Sequence, residues 1–513
     1  MRKILNRREI LKYCGIIGGV ALDPIPLRPS IWADHPDVLT LTISSLGPGR
    51  RVPADFSGLS YEAAQLTDSK YFTPANRALV GLVRRLSKSG VLRIGGNTSD
   101  LTVWMQKSDT PAVYPKRNGA HIPITRESIE NLAGFLDATG WSLIYGLNLG
   151  TGTPIEAATE AEFVARTVGR RLLAFQIGNE PDLYGNRLRP DQKWDFSTYY
   201  AQWLTFAQEI RKRLPYVPLG GPDTAEVNGV DWVLPFAKRA KNYVQLLTGH
   251  YYAEGPPRSP QTNMAKLLRS DQSNHRLKAE IEEDIEASSV ANTKVPFRMT
   301  EANSCYWGGK PGLSDAFGSA LWGGDFMLKV TFAGYSGVNF QGGTSGAISA
   351  ALGTPLANQT LAGKQAKIDR LSSTYTPIAG IAETGFYARP LYYGMLIAGH
   401  LAGGAMLESR LDRNDVNLTA YASSVEGQIR TVIFNKDLNR SAVLRIKVEK
   451  KTGRATIWSL TAQAVDSKHG VTLAGTEVTG DGHWSPQTEN TVNIRSGEFF
   501  LHLPATSAAL LFI

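Results

Sequence analysis

Leu172-Leu173-Ala174-Phe175-Gln176-Ile177-Gly178-Asn179-Glu180-Pro181-Asp182 carries two signals at once. Its apolar first half is the length of one buried strand, and Gly178 and Pro181 mark where that strand stops. The stop leaves the Glu180 carboxylate at the C-terminal end of a core strand, with the Asn179 amide beside it. A strand end is a rigid mount, which suits a group that must hold its position during chemistry. A single Glu-Pro pair equally fits a solvated loop acid, because strand-end loops are polar anyway. A second carboxylate of the same kind, Glu301 in Pro296-Phe297-Arg298-Met299-Thr300-Glu301-Ala302-Asn303, weighs against that reading.

Outward from this stretch, strand-like and helix-like segments alternate. The strand candidates are 56–61, 91–94, 142–147, 172–177, 217–220, 244–250, 296–300 and 334–340. Between them lie helical patterns over 74–88, 126–139, 155–170, 196–214, 230–241, 274–288 and 315–332, with 386–401 as the last. Such alternation argues for parallel βαβ units, and eight of them for a closed (β/α)8 TIM barrel, an α/β fold. An open doubly wound sheet would want a Gly-rich phosphate turn. Gly95-Gly96-Asn97 is not one, and no Walker motif occurs.

After about residue 405 the texture becomes short strands and turns, over 416–422, 429–435, 441–448, 455–459 and 499–513. This predicts an antiparallel β-sandwich domain. The alternating stretch Asp37–Ile43 has no barrel partner and is expected to join that sandwich. The expected division is a leader over 1–33, an N-terminal sandwich strand within 34–54, the barrel over 55–402 and the sandwich over 403–513. A chain of 513 residues has room for a barrel of ~250–300 residues and one smaller domain. Residues 342–375 read as one long loop rich in Gly, Ala, Ser and Thr.

Asn6-Arg7-Arg8-Glu9-Ile10-Leu11-Lys12, a short apolar run over 13–22 and a small-residue exit at Ala33 read as a twin-arginine export leader. The protein is therefore expected in the periplasm or medium. No segment has the ~18 uninterrupted apolar residues of a membrane span. Cleavage at Ala33 would lower the formal charge from +9 to +5, a mild basicity that does not argue for nucleic acid. It would leave Cys305 as the only cysteine, with no intrachain disulfide possible.

Glu180 ends the fourth predicted strand and Glu301 the seventh, and these face each other across a barrel mouth. Two carboxylates there can flank one glycosidic bond, one protonating the leaving oxygen and the other attacking the sugar carbon. Burial or the charge of Glu301 is expected to raise the pKa of Glu180. A tyrosine at the sixth strand end, Tyr251 or Tyr252, is placed to donate to Glu301. His250 reads as a satisfied core histidine. No second His or Cys stands at ligand spacing, so no metal or other cofactor is expected. Cys305 lacks the paired His that thiolate catalysis needs. Trp322 reads as helix packing, and Tyr306 as a sugar contact.

Gly178–Asp182 (GNEPD) and Thr300–Gly309 (TEANSCYWGG), with VLRIGGNTSD at 91–100, GHYY at 249–252 and LSDAF at 313–317, resemble glycoside hydrolase family 79. This is the family of β-glucuronidases and heparanases, in clan A. The resemblance implies a barrel with a β-sandwich built from both chain ends, with Glu180 as acid/base and Glu301 as nucleophile. It further implies a glucuronate subsite, with Glu62 and Asn97 on sugar hydroxyls; Asn179, beside Glu180, can bond a further hydroxyl, and Tyr252 stands beside the nucleophile. Tyr306, the Trp307 and Gly308 backbone and Tyr375 would hold the carboxylate. The expected activity is a retaining β-glucuronidase acting on a glucuronate-containing carbohydrate. The alternatives are an endo-acting, heparanase-like enzyme, a non-catalytic carbohydrate-binding protein on the same fold, and another clan A activity such as arabinofuranosidase or xylosidase.

Overall fold

The computed structural model describes residues 38–105, 121–225, 232–270, 273–290, 295–354, 364–412 and 415–513. The leader read over 1–33 lies outside these residues. Eight parallel strands close into a barrel: β1 (Ser57–Glu62), β2 (Val91–Gly95), β3 (Ser142–Leu147), β4 (Leu172–Ile177), β5 (Leu219–Thr224), β6 (Val244–Glu254), β7 (Phe297–Cys305) and β8 (Val338–Gly342). Each strand pairs with the next in sequence, and β8 pairs back with β1. These are the strands expected, in the order expected. Such strands are buried on both faces, which is why they read as apolar runs rather than as alternation: β1, β2, β5, β7 and β8 are buried throughout.

Several strands run further than their sequence suggested. The fifth strand, read over 217–220, continues, since Gly221, Pro222 and Thr224 still pair with Leu247, Thr248 and Gly249. β6 and β7 likewise continue to Glu254 and Cys305. The floor of the barrel is polar. Arg298 donates to Asn339 Oδ1 at 2.6 Å and to the carbonyls of Ser336 and Asp55 at 3.2 and 3.1 Å. Burial pulls its guanidinium down to about 10.

The surrounding helices are α1 (Arg77–Leu86), α2 (Arg126–Thr139), α3 (Pro154–Val168), α4 (Phe196–Arg213), α5 (Val233–Ala240), α6 (His275–Val290), α7 (Phe317–Ala333) and α8 (Pro390–Gly399). Their starts follow local chemistry. Thr153 and Glu156 form a reciprocal capping box with Pro154 in the first turn, a cap of about 1 kcal/mol. The last helix is shorter than read: 385–388 form a strand paired with 378–381, and Pro390 opens the helix. Residues 342–375 are not one loop, since helices span Ser345–Leu352 and Lys364–Arg370.

The second domain is mostly antiparallel and curls almost into a barrel of its own. One sheet of eleven strands runs from Ala405–Leu407 at one end to Ser409–Leu411 at the other. Val38–Ile43 enters it, parallel to Ala442–Lys447 and antiparallel to Ser409–Leu411. The stretch 499–513 is two strands, Glu498–Leu503 and Ser507–Phe512, because Pro504 cannot continue the ladder. This domain covers α7 and α8, which explains why both are buried on nearly all sides. Where they meet, Asp325 of α7 accepts from Thr419, Tyr421 and Lys436, at 2.6, 2.8 and 2.6 Å. Among the described residues no helix is long and apolar enough to cross a membrane.

Candidate active site

Two irregular strand ends build the site. β4 stops at Ile177, and Gly178 turns the chain with φ +89°. A Cβ there would lie 2.9 Å from Leu149 and the Tyr184 hydroxyl. Glu180 is itself left-handed, φ 48° and ψ 53°, and its N–H donates to the Asp223 carbonyl at 2.9 Å. A non-glycine residue there is strained by about 1 kcal/mol, which the surrounding contacts must hold. In β7 the register shifts between Met299 and Glu301, so Thr300 and Glu301 together oppose the step from Gly249 to His250. Such a bulge re-aims side chains. Here consecutive residues both reach inward: Thr300 Oγ1 donates to Asp223 Oδ1 at 2.6 Å, and Glu301 accepts from two neighbours.

Those neighbours are Arg93 and Tyr252. Arg93, fully buried in β2, donates to Glu301 Oε2 at 2.7 Å, Asp223 Oδ2 at 2.6 Å, Asn179 Oδ1 at 2.7 Å and Gln176 Oε1 at 2.9 Å. The Tyr252 hydroxyl donates to Glu301 Oε1 at 2.7 Å. Both Glu301 oxygens are thus held by buried donors, one from each neighbour. Burial, then the charge of Glu301, raises the Tyr252 pKa well above its ordinary value, so it remains a donor. Burial would raise the Asp223 carboxyl, but Arg93 and then His250 hold it below its ordinary range.

The expectation of a raised Glu180 pKa is corrected by His250. Its Nδ1 lies 3.1 Å from Glu180 Oε1 and its Nε2 3.0 Å from Asp223 Oδ1. Burial would lower the imidazole, but the charges of Asp223 and Glu301 and the two contacts raise it to about 10. Burial would likewise raise Glu180; the hydrogen bond and charge of His250, helped by Arg187, outweigh it and bring the pKa below its ordinary value. The two directions, His250 raised and Glu180 lowered, draw the proton of this pair towards the imidazole. His250 is therefore not a passive core residue.

The other sequence-predicted residues gather around the same opening. Glu62 accepts from the Thr98 N–H and hydroxyl at 2.9 and 2.7 Å and from Gln341 at 3.2 Å. Burial, then the charge of Glu301, raises it to about 7. Asn179 donates to Asn97 Oδ1 at 3.0 Å while Arg93 fixes its oxygen. The turn after β7 brings in Tyr306, Trp307 and Gly308. The Tyr306 ring centroid is 6.3 Å from Tyr252 and 5.1 Å from Trp307. Tyr375 is drawn against this turn: its N–H donates to the Gly308 carbonyl at 3.3 Å and its ring lies 6.3 Å from Tyr252. Among the described residues, the N–H groups of Trp307 and Gly308 meet no backbone carbonyl. Both residues are left-handed, φ 57° and 85°.

One oxygen of Glu180, one nitrogen of His250 and one oxygen of Glu301 lie within 4.8 Å of one another, a spacing that can also hold a cation. Both His250 nitrogens face carboxylates, so a cation would have to displace an ion pair. Cys305 is buried and its thiol is pushed up to about 12 by burial and then Glu254, which leaves it inert as a nucleophile. Trp322 packs on Phe326, centroids 5.2 Å apart. Sequence reasoning missed Arg93, Gln176 and Asp223. Arg93 had a visible signal, a lone arginine in the five-residue strand VLRIG, which must find partners if buried. Asp223 had none, since Gly-Gly-Pro before it reads as a turn.

No protein-family profile matches the chain. Two curated relatives, the β-glucuronidases of Neurospora crassa and Aspergillus niger, are 28% identical over 288 residues and 27% identical over 330 residues. These matches cover 50% and 56% of the chain, and only 50% and 59% of the relatives, so the chain spans little more than half their length. Among solved structures, a 4-O-α-L-rhamnosyl-β-D-glucuronidase from Fusarium oxysporum 12S superposes with a TM-score of 0.71 at 19% identity. It covers 93% of this chain and 100% of its own. A family 51 arabinofuranosidase from Xanthomonas axonopodis pv. citri gives 0.64 at 17%, covering 92% and 99%. At such identities the structural likeness speaks for the fold.

Proposed function

We propose that this chain, a clan A glycoside hydrolase distantly homologous to the fungal β-glucuronidases, is itself a retaining β-glucuronidase. The observation that carries the reading is the pair of strand-end carboxylates, Glu180 and Glu301, with oxygens within 4.8 Å beside a donor-rich turn. Retaining enzymes hold their two carboxyl groups about 5–5.5 Å apart, and inverting ones about 6.5–9.5 Å, to leave room for a water. Glu301, held between Arg93 and Tyr252, attacks the anomeric carbon as the glycosidic C–O bond breaks. Glu180 delivers the proton that it shares with His250 to the leaving oxygen, then takes one from the water that releases the sugar.

Specificity rests on the Tyr306–Gly308 turn with Tyr375. Tyrosine hydroxyls and backbone N–H groups suit a carboxylate because charge-assisted hydrogen bonds repay its desolvation. Glu62, Asn97 and Asn179 are assigned to the ring hydroxyls. The twin-arginine pattern at Arg7 and Arg8 supports export.

A panel of aryl glycosides tests the substrate: the β-glucuronide should be cleaved far faster than the glucoside, xyloside or arabinofuranoside. Preference for the xyloside or arabinofuranoside would overturn the assignment.

A further inference from the structure

Trp307 combines two features that packing alone does not require. It is the one tryptophan among the large apolar side chains that stand exposed in the described residues, at 59%. Its backbone is left-handed, φ 57°, a strained geometry for a bulky residue. The turn around it is well held without the indole. Lys310 Nζ donates to the carbonyls of Ser259 and Thr262 at 3.0 and 2.6 Å, Lys310 N–H to Ser314 Oγ at 3.0 Å, and Tyr375 N–H to Gly308 at 3.3 Å. Glycine occupies the next two positions, both left-handed, and would serve at 307 equally well. What tryptophan adds is a large aromatic face in water, beside the catalytic opening.

Its position relative to the acids is set by ring contacts. The Tyr252 hydroxyl holds Glu301; the Tyr306 ring is 6.3 Å from that of Tyr252, and the Trp307 ring is 5.1 Å from that of Tyr306. The indole is thus two ring contacts removed from the tyrosine that holds Glu301 and is open to solvent, which suits it to a ring joined to the reacting sugar more than to that sugar itself. A pyranose presents an apolar C–H face with hydroxyls at its rim. An indole face desolvates that C–H surface and leaves the rim in water, as other flat ligands stack on aromatic side chains.

We propose that the Trp307 side chain is the platform of a second sugar subsite, so that the substrate carries at least one pyranose ring beyond the glucuronate that is released. This rests on the glucuronidase reading and assigns to the indole a role separate from the carboxylate-binding backbone of the same turn. The stacked ring belongs either to the leaving group or to a sugar attached to the glucuronate from its non-reducing side. The chemistry recognised is the same in both cases.

The test compares wild type, Trp307→Gly and Trp307→Phe on three substrates. These are methyl β-glucuronide, a disaccharide with β-glucuronate on a neutral hexose, and methyl β-glucuronide bearing a hexose on O4. Trp307→Gly should lose about tenfold more kcat/KM on one of the two-ring substrates than on methyl β-glucuronide, roughly 1.4 kcal/mol. The extra loss should sit in KM, since a remote platform binds ground and transition states alike. Which two-ring substrate shows it identifies the side. Trp307→Phe should restore most of the difference. The melting temperature of Trp307→Gly should hold or rise, because glycine takes the left-handed backbone without strain. Equal losses on all three substrates, or a fall in melting temperature that tracks the activity loss, would overturn the platform. A wild type inactive on every glucuronide would instead sink the parent reading.

Discussion

Replacing His250 with Gln removes a charge and leaves the shape nearly intact. Wild-type His250 lies 3.1 Å from Glu180 and 3.0 Å from Asp223, and is held at about 10 against the lowering effect of burial. The two groups titrate together, so loss of the proton that Glu180 must deliver follows the pair, whichever member carries it. The alkaline limb of the kcat/KM profile, which reports the free enzyme, should therefore lie well above the carboxylate range. In His250→Gln the proton has only Glu180 to occupy. Burial then raises that carboxyl without His250 to oppose it, and the alkaline limb should retreat from near 10 towards the carboxylate range. General acid catalysis contributes about 10²–10⁴-fold. Near pH 8 the variant should lose much of that on an alkyl glucuronide and little on a nitrophenyl one, whose leaving group needs no proton. Asp223 keeps Arg93, Gln176 and Thr300 as partners, so the site should stay assembled. The sign for stability follows too. The folded value lies above the unfolded one of ~6.5, so the contribution of His250 is full below that pH and lost as pH rises through about 10. An alkaline limb that does not move would refute the assignment of the proton to His250.

Three further outcomes are expected. Tyr306→Phe should lower kcat/KM on a glucuronide by about 10- to 150-fold, the equivalent of one charge-assisted hydrogen bond, and much less on the matching glucoside; equal losses would show that Tyr306 does not read the carboxylate. Lys436→Met strands the Asp325 charge between the domains and should destabilise by about 3 kcal/mol in chemical unfolding. Burial would raise Asp325, but Lys436 and then Lys329 hold it below its ordinary value, so the pair stabilises above the carboxylate range and is lost as pH falls through it; a variant as stable as wild type would contradict this. Replacing Arg7 and Arg8 together with Lys should retain the protein in the cytoplasm in a fractionation assay, because the export receptor reads that pair, and undisturbed export would exclude this route.

The barrel was legible because its strands are buried on both faces and its helices, α7 and α8 apart, on one. That difference writes apolar runs and helical periods into the sequence. Glu180 and Glu301 were legible because each follows such a run. Local backbone departures were not. The bulge at Thr300–Glu301 and the left-handed Asp223 point side chains into the barrel that regular strands would direct elsewhere, and period-two reasoning cannot register them. The direction of the Glu180 shift was hidden for the same reason: it depends on His250 and Asp223 meeting across β5 and β6. In 499–513 the apolar pattern ran through Pro504, and the break there was read as continuous strand.

Proton NMR of wild type cleaving an alkyl β-glucuronide in D2O follows the first anomer released, before mutarotation mixes the signals. Double displacement through Glu301, with an oxygen of Glu180 within 4.8 Å of one of its own, predicts that the β-anomer of glucuronic acid appears first. The α-anomer appearing first would mean a single displacement by water, and would contradict the roles given to both carboxylates.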